Sequence, residues 1–335
     1  MITGDVMGII KIRNLTKKFG TLTAVNKISL DIEEGEIFGL LGPNGAGKTT
    51  TISMLATILK PTGGQATVVG HDIVKEMDGV RRNIGIVFQD PSLDDELTAR
   101  ENMDFHGRLY DMSKQERDER TVELLKLVEL EDRADDLVGT FSGGMKRRLE
   151  IARGLMHLPK VLFLDEPTIG LDPQTRRKLW DYIKAFNRKE KVTIILTTHY
   201  MEEADVLCDR IGIIDHGKII ALDHSEKLKD VLGGDIVTIR VDNSKAMKDL
   251  LEKTDYIREI KVFDESINLV THNGSKAIPK IIQLAQENGI TVESATLKRP
   301  SLEDVFIHYT GRVIRPEDSD SGKEHMRMRM RMRWR

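Results

Sequence analysis

The stretch that decides the fold is Gly42-Pro43-Asn44-Gly45-Ala46-Gly47-Lys48-Thr49. It follows an apolar run at 37–41 and opens onto residues 50–55, which can continue as a helix. Glycines let the backbone turn its N–H groups inward, and a helix start adds unpaired N–H donors and the positive end of the helix dipole. The order of strand, glycine-rich loop and helix therefore predicts a phosphate-binding site.

The end of this loop indicates which phosphate compound it binds. In a P-loop of this spacing, Lys48 is expected to reach the β- and γ-phosphates, and the Thr49 hydroxyl is expected to ligate Mg²⁺. We therefore assign residues 42–49 and the adjoining Thr50 to a nucleotide. The alternative is a flexible glycine turn that matches by chance, and the flanking strand and helix disfavour it.

Length and composition set the broad class. The chain has 335 residues, 39% of them hydrophobic and 31% charged, which suggests about two ordinary globular domains. The formal net charge of −3 gives no global sign of a nucleic-acid partner, and none is expected. The single cysteine, Cys208, excludes an internal disulfide and is predicted to be a buried small hydrophobe in a reducing compartment.

No part of the sequence predicts a membrane span or a secretory signal. Apolar runs stay far below the roughly 18–20 residues that a spanning helix needs. Residues 1–12 lack a basic start and a long apolar middle. The expectation is a cytosolic polypeptide, so another chain would supply any membrane part.

The first residues predict an antiparallel β layer beside the loop. Residues 9–15 and 26–32 have strand patterns, with a turn around Phe19-Gly20 between them. Phe19 has Lys18 and Gly20 as neighbours, so an exposed ring there could stack on a base. Packing of the same ring on the core is an equally good interpretation.

A helical block separates two further candidate site segments. Gln89 ends the buried-type strand at 83–88, where a polar residue faces the ligand crevice of an α/β sheet. Capping-box patterns begin at Thr98 and Ser113, which predicts two helices. Beyond them, Ser142-Gly143-Gly144 precedes an amphipathic helix that is predicted to run to about residue 157. Its uncovered amino end predicts either a simple capped helix or a second phosphate-binding wall.

Carboxylates and a histidine follow two more buried strands. The apolar strand at 161–164 delivers Asp165 and Glu166, which are expensive to bury unless they meet a metal or move protons. Asp172 follows in the next turn, and His199 comes after the strand at 192–196. A lone histidine is usually structural, but its place at a strand end matches those of Gln89 and Asp165.

The chain beyond Gly233-Gly234 predicts a second domain. Its pattern is strand 236–241, helix 245–253, strand 257–263, strand 267–271, helix 276–288 and strand 291–298. This βαββαβ order is that of a ferredoxin-like unit, without a catalytic cluster, so regulation or dimerisation is expected. A last helix opens at Ser301. The Met/Arg-rich tail at 313–335 is predicted to be disordered, with an anchor for anionic headgroups as the alternative.

Together these motifs resemble, over roughly residues 8–232, the nucleotide-binding subunit of an ABC transporter. The resemblance rests on a series of motifs in order: Gly42 to Thr49 as Walker A, Gln89 as the Q-loop glutamine, Phe141 to Met145 as the signature, Val161 to Pro167 as Walker B, Leu171-Asp172 as the D-loop, His199 as the switch histidine and Phe19 as the adenine-stacking aromatic. One such motif would be weak evidence, whereas the full order is specific.

This resemblance implies an α/β P-loop ATPase domain with an antiparallel β subdomain and a helical subdomain at about 90–158, followed by a small ferredoxin-like α+β domain at 235–312. It implies a Mg²⁺-dependent ATPase that forms a head-to-tail homodimer. ATP bound at Lys48 of one chain would be covered by Ser142, Gly143 and Gly144 of the other. Asp172 would connect the two sites.

The resemblance also assigns the remaining roles. Thr49, Gln89 and Asp165 would hold Mg²⁺. Glu166, His199 and Gln89 would be the catalytic residues.

One departure narrows the family. Met145 stands where the signature usually ends in glutamine. With the stretch at 298–306, this resembles the daunorubicin-resistance type, in which a separate ABC-2 type permease forms the membrane path. The subunit would then power export of a drug-like or hydrophobic compound from the cytoplasmic face of the cell membrane. The alternatives are a soluble ABC ATPase of repair or translation type and a scaffold that binds nucleotide without hydrolysis.

Overall fold

Three sheets organise the part of the chain that this computed structural model describes, residues 8–263 and 266–310. The strands are β1 (Ile10–Phe19), β2 (Leu22–Ile32), β3 (Ile37–Leu41), β4 (Gly63–Val68), β5 (His71–Asp72), β6 (Ile84–Val87), β7 (Val161–Asp165), β8 (Thr193–Thr198), β9 (Arg210–Asp215), β10 (Lys218–Asp223), β11 (Asp235–Val241), β12 (Ile257–Phe263), β13 (Ser266–Thr271) and β14 (Val292–Lys298). The helices are α1 (Lys48–Leu55), α2 (Met77–Arg82), α3 (Ala99–Leu109), α4 (Lys114–Leu127), α5 (Gly143–Gly154), α6 (Pro173–Glu190), α7 (Met201–Leu207), α8 (Ser225–Asp230), α9 (Ser244–Leu251), α10 (Gly274–Glu287) and α11 (Leu302–Thr310). The predicted tail at 313–335 lies outside the described residues.

The central sheet has the strand order β10-β9-β3-β8-β7-β6. Its strands pair in parallel except for β10, which returns antiparallel to β9. Every residue of β3, β7 and β8 is buried, as expected for strands that are covered on both faces. Because parallel strands end at the same edge, the segments that follow these strands meet there.

An antiparallel sheet, ordered β2-β1-β4-β5, lies beside the central sheet. Its residues Ile10, Ile12 and Leu15 share a buried cluster with Phe38 of β3 and Phe163 of β7. The predicted β layer is therefore confirmed.

The helical block contains both predicted capping boxes. The Thr98 hydroxyl accepts from the Glu101 N–H at 3.1 Å, and the Glu101 carboxylate accepts from the Thr98 N–H at 2.8 Å. Ser113 begins α4 in the same reciprocal way. Arg120 of α4 is buried and donates to Glu190 at 3.1 Å, which fixes the block to the end of α6.

The helix after Ser142 is shorter than predicted. It ends at Gly154 rather than near residue 157. Leu158 precedes Pro159 and has a positive φ of 55°. Since a residue before proline is disfavoured in the helical region, the chain leaves the helix earlier.

The last sheet has the order β12-β13-β11-β14, with all of its pairs antiparallel. Helices α9 and α10 pack on one face, where Met247 and Ile281 join the buried residues of the strands. Together with the βαββαβ order, this strand order confirms the ferredoxin-like unit.

The final helix, α11, is linked to that unit by a hydrogen bond from Lys298 of β14 to Asp304 at 2.8 Å, but its apolar face packs elsewhere. We predicted it as part of the 235–312 domain, but its buried residues Leu302, Val305 and Phe306 belong to the core cluster of the central sheet. The helix packs on α7 and α8. The apolar side chains of a short terminal helix are stabilised most where they bury the largest area, and the ATPase core offers an extensive apolar surface for this.

Within the described residues, no helix has the length and apolar content that crossing a membrane would require. Cys208 is buried against the central sheet, and burial raises the pKa of its thiol well above the ordinary value.

Candidate functional site

The loop between β3 and α1 depends on glycines at defined positions. Gly47 has φ 104°, and a Cβ there would lie 2.5 Å from the Ala24 carbonyl oxygen. A Cβ on Gly42 would lie 2.2 Å from the Ile214 carbonyl oxygen. Only glycine permits both this conformation and this approach. The loop is therefore held against β2 and β9, with the amino end of α1 open.

Lys48 is buried at the start of α1, with 4% of its surface exposed. Its ammonium donates to the carbonyl oxygens of Gly42 at 2.7 Å and Pro43 at 3.1 Å. It also lies 3.1 Å from Oε1 of Glu166. Burial lowers the pKa of Lys48, and the neighbouring carboxylates partly oppose that shift. The charge of Lys48 thus sits at the loop opening with Glu166 as its counterion.

Glu166 links Lys48 to His199. The His199 Nδ1 lies 2.8 Å from the second carboxylate oxygen of Glu166. Burial would raise the pKa of Glu166, but the hydrogen bond with His199 and the charge of Lys48 outweigh it and hold the pKa below its usual value. Glu166 is therefore ionised at neutral pH and can act as a proton acceptor.

Asp165 is the last residue of β7 and shares one oxygen with two hydroxyl groups. Its Oδ1 accepts from Thr49 at 3.1 Å and from Thr197 at 2.5 Å. Burial raises the pKa of Asp165, whereas these hydrogen bonds lower it. A carboxylate beside the Thr49 hydroxyl is an oxygen donor set of the kind that Mg²⁺ prefers. The donor chemistry of these residues thus fits the predicted ion.

A cavity of about 570 Å³ opens in front of these groups. Its walls are formed by four parts of the chain: the β1–β2 hairpin, the P-loop, the segment that carries Gln89 and the segment that carries Glu166. The lining residues are Phe19, Leu22, Ala24, Pro43, Asn44, Gly45, Gly47, Lys48, Thr49, Thr50, Gln89, Glu166 and Ile169. Phe19 is 48% exposed, so its ring lies at the rim and does not pack on the core.

The predicted second wall lies elsewhere. Ser142 begins α5 and accepts from the Met145 N–H at 3.3 Å, as predicted for a cap. Among the described residues, those that line the cavity do not include Ser142, Gly143 or Gly144. Space is open around Gly143, and Gly144 packs closely on Thr175 of α6. One chain therefore does not bring its own signature segment to its own P-loop.

Asp172 has a structural role within the chain. It begins α6 and accepts from the N–H groups of Gln174 and Thr175, each at 3.0 Å. Since Thr175 also contacts Gly144, the predicted D-loop and signature segments are neighbours.

Comparisons with known proteins assign both parts of the chain. Residues 25–169 match the model of the ABC transporter family, and residues 224–310 match that of the C-terminal domain of DrrA1-3-like ATP-binding proteins. The chain is 40% identical over 311 residues to the linearmycin resistance ATP-binding protein LnrL of Bacillus subtilis (strain 168), covering 92% of this chain and 100% of that protein. The chain belongs to the ATP-binding subunits of ABC transporters.

Further similarities agree. This ABC subunit is 38% identical over 324 residues to the daunorubicin/doxorubicin resistance ATP-binding protein DrrA of Streptomyces peucetius, covering 96% of this chain and 95% of that protein. The solved dimer of the cassette MJ0796 in a post-hydrolysis state, bound to ADP and Pi, matches with a TM-score of 0.58 and 32% identity. It covers 64% of this chain and 98% of that chain. The predicted family, its P-loop fold and its ATPase activity are confirmed.

Sequence reasoning missed some residues of this ABC subunit that contact the site. Thr197 binds Asp165 and, through the same hydroxyl, accepts from the Glu166 N–H at 3.0 Å. Arg147 and Glu150 lie buried behind Glu166. The available signal was their spacing, because charges three apart on the buried stripe of α5 are unusual.

Proposed function

We propose that this chain is the ATPase subunit of an exporter of drug-like or hydrophobic compounds, and that it drives a separate ABC-2 type permease from the cytoplasmic face of the membrane. The observation that carries the proposal is the Lys48–Glu166–His199 chain of contacts in the P-loop cavity, joined to a DrrA1-3-like C-terminal domain. Relatives named for drug resistance and for Nod factor export favour transport over a soluble repair or translation role.

The roles of the site residues follow from their positions. Lys48 would leave Glu166 for the β- and γ-phosphates of ATP, since phosphate competes for the same ammonium. Glu166, ionised and released from Lys48, would orient or deprotonate the attacking water. His199 would keep the carboxylate in place and contact the γ-phosphate.

Three oxygen-bearing side chains would hold the metal ion. Thr49 and Asp165 already share a hydrogen bond of 3.1 Å, and Gln89 lines the same cavity. When bound, Mg²⁺ neutralises charge on the phosphate oxygens. The protein groups orient it and exclude bulk water, and Phe19 at the rim would stack on adenine.

We further propose that two copies pair head to tail. Supporting this is the open amino end of α5, an anion-binding geometry outside the cavity of its own chain. In the pair, Ser142, Gly143 and Gly144 of one copy would cover the γ-phosphate bound by the other. Two helix amino ends neutralise more charge than one, so ATP would hold the copies together and hydrolysis would release them.

The permease would dock on an apolar surface between the helical block and the core. Leu109 of α3 and Leu158 after α5 are 64% and 63% exposed. They are chain neighbours of Tyr110 and His157, whose rings stack with centroids 3.6 Å apart. Phe105, one turn before Leu109, is 58% exposed. Exposed apolar side chains grouped in this way are typical of interaction surfaces.

The test is co-purification with a polytopic membrane protein from cells that express the full chain. We expect Leu109→Asp with Leu158→Asp to abolish capture of the permease while ATP binding persists. The matched control is Val122→Asp, because Val122 is 58% exposed on the neighbouring helix α4. Capture of a permease by the double variant would contradict this docking surface, and absence of any membrane partner of the wild type would contradict the transporter.

A further inference from the structure

One buried arginine joins the segments that carry the site residues. Arg147 lies on the first turns of α5 and is 7% exposed. Its Nε donates to the Pro167 carbonyl oxygen at 2.8 Å, and its Nη2 donates to that of Asp165 at 3.0 Å. Its Nη1 donates to the carbonyl oxygen of Phe88 at 2.5 Å. The guanidinium thus holds the end of β7 and the residue that precedes Gln89.

Glu150 completes this unit one turn later on α5. Its Oε2 accepts from Nη1 of Arg147 at 3.0 Å, and its Oε1 accepts from the Ser92 N–H at 2.8 Å. Glu150 is 2% exposed. Replacement of a buried ion pair by apolar residues is often neutral or stabilising. A contribution to stability is therefore a weak explanation for the presence of the buried Arg147–Glu150 pair. The hydrogen-bond partners of the Arg147–Glu150 pair belong to the segments on both sides of Gln89 and around Glu166, which points to a role at the site.

The backbone conformation of Glu166 explains why these contacts of Arg147 and Glu150 are needed. Glu166 has φ 47°, a left-handed conformation that is strained for a non-glycine residue. Its N–H donates to Thr197 at 3.0 Å, and its carbonyl oxygen accepts from Nη2 of Arg147 at 3.3 Å. Strained conformations persist where the surroundings determine them from several sides.

We infer that Arg147 and Glu150 form a positioning unit for ATP hydrolysis, which sets the Glu166 backbone and fixes the Gln89 segment relative to it. The inference rests on the roles proposed above for Glu166 and Gln89. Neither Arg147 nor Glu150 lines the cavity. They act through the residues that do, so their loss would displace the water-activating carboxylate and the metal ligands together without removing a nucleotide contact.

The test is steady-state ATP hydrolysis by the full-length Arg147→Met variant. We expect kcat to fall about 10²-fold, because misplacement of reacting groups by about 1 Å has this effect. The KM for ATP should stay within about threefold, and the half-saturating Mg²⁺ concentration for nucleotide binding should rise. Arg147→Lys should recover only part of kcat, since a lysine keeps the charge but not the fork of donors that reaches several carbonyls.

Arg148→Met is the matched control. Arg148 follows on the same helix and donates to the Val128 carbonyl oxygen at 2.8 Å, within the helical block. We expect its kcat to stay within about twofold of wild type. Wild-type kcat in folded Arg147→Met, or an equal fall in both variants, would overturn the inference. If Arg147→Met does not fold, Glu150→Gln decides, because it keeps an acceptor for Ser92 but removes the charge; unchanged kcat there would equally refute the unit.

Different results would contradict the positioning unit and the exporter. If the wild type hydrolyses ATP but captures no membrane protein from cells, the exporter is contradicted, while the Arg147→Met result still decides on the positioning unit. Normal turnover in Glu166→Gln would contradict the role of Glu166. The Mg²⁺ dependence of nucleotide binding does not require turnover, so an unchanged value in Arg147→Met would count against the unit even then.

Discussion

The ATPase part and the C-terminal domain bury different kinds of side chain. Around the nucleotide cavity the interior holds a set of charged residues: Lys48, Arg147, Glu150, Asp165, Glu166 and Glu203. The described residues of the C-terminal unit, by contrast, bury an apolar cluster with Thr271, whose hydroxyl donates to the Tyr256 carbonyl oxygen at 2.7 Å. Both units are well packed, so packing does not explain the difference.

The difference shows where chemistry is located. A buried charge is costly unless it is paired, and each pair must be held by further hydrogen bonds. Four of these charged residues meet this condition as the pairs Lys48–Glu166 and Arg147–Glu150, whereas Asp165 and Glu203 accept hydrogen bonds from Thr197 and Trp180. The described residues of the C-terminal unit bury no charged side chain, which fits a role in contacts rather than in catalysis. A substitution of a buried residue in the C-terminal unit should therefore leave ATP hydrolysis largely unchanged, and a substitution in the ATPase part should leave the C-terminal unit folded.

Glu166→Gln tests the ATPase interior with the largest expected effect. The amide keeps the size of the side chain but cannot accept a proton, so kcat should fall roughly 10²–10⁴-fold. ATP binding should persist, and the paired state should accumulate with ATP on gel filtration. Glu202→Gln is the matched control, because Glu202 is exposed on the nearby helix α7. Near-normal hydrolysis in Glu166→Gln would remove Glu166 from its role.

Lys48→Ala should act on binding before chemistry. Loss of a charge-assisted hydrogen bond to phosphate costs about 1.5–3 kcal/mol, so the Kd for ATP should rise roughly 10–10²-fold. Equilibrium binding of a fluorescent ATP analogue measures this change. Lys178→Ala, which removes an exposed lysine on α6, should bind as the wild type does. Unchanged affinity in Lys48→Ala would contradict the P-loop assignment.

Ile281→Ala tests the other interior. Ile281 is fully buried in the C-terminal cluster, and truncation of a buried isoleucine costs about 2–5 kcal/mol. Hydrogen exchange should therefore speed up in β11 and β13, while kcat should stay within about twofold of wild type. Leu162→Ala in β7 is the comparison, because it should lower both stability and kcat. A large loss of kcat in Ile281→Ala would show that the two interiors are coupled.

Local sequence patterns predicted the P-loop and the helix caps, but they did not predict where helix α11 packs. The P-loop, both capping boxes and the strand-end carboxylates follow local rules, because loop glycines and helix caps depend on residues that are close in the chain. Helix α11 follows no such rule, since its apolar face fits either core and only the tertiary structure selects the ATPase core.

The spacing of Arg147 and Glu150 on α5 was their only sequence signal, and it does not show what they contact. Charges on a helix usually form its solvated face, and only the assembled fold shows that Arg147 donates to carbonyl oxygens at residues 88 and 165–167 and that Glu150 accepts from the Ser92 N–H. The Phe19 ring illustrates the opposite case. Its two alternatives were equal from sequence, and its exposure at the cavity rim excludes core packing, so stacking on adenine stays the proposal.

The smallest expected effect concerns two histidines where the helical block meets the core. Burial lowers the pKa of His106 to about 3 and that of His157 to about 4 from the ordinary 6.5. Arg153 adds to the shift of His106, and a hydrogen bond to the Ile84 carbonyl oxygen opposes that of His157. The unfolded chain therefore binds protons below pH 6.5 that the folded chain does not.

These lowered pKa values make the folded protein less stable at acidic pH. The two neutral histidines contribute fully to the free energy of unfolding above pH 6.5, and this contribution is lost as the pH falls towards 4. Near pH 5 the loss is about 1–2 kcal/mol for each histidine. His106→Phe should reduce this loss by roughly half, because the Nε2 of His106 is buried without a partner and an apolar ring suits the site. Thermal midpoints at about pH 7.5 and about pH 5 measure it, with partly exposed His71→Gln as the control. An equal acid loss in His106→Phe and wild type would show that His106 does not contribute to the acid sensitivity.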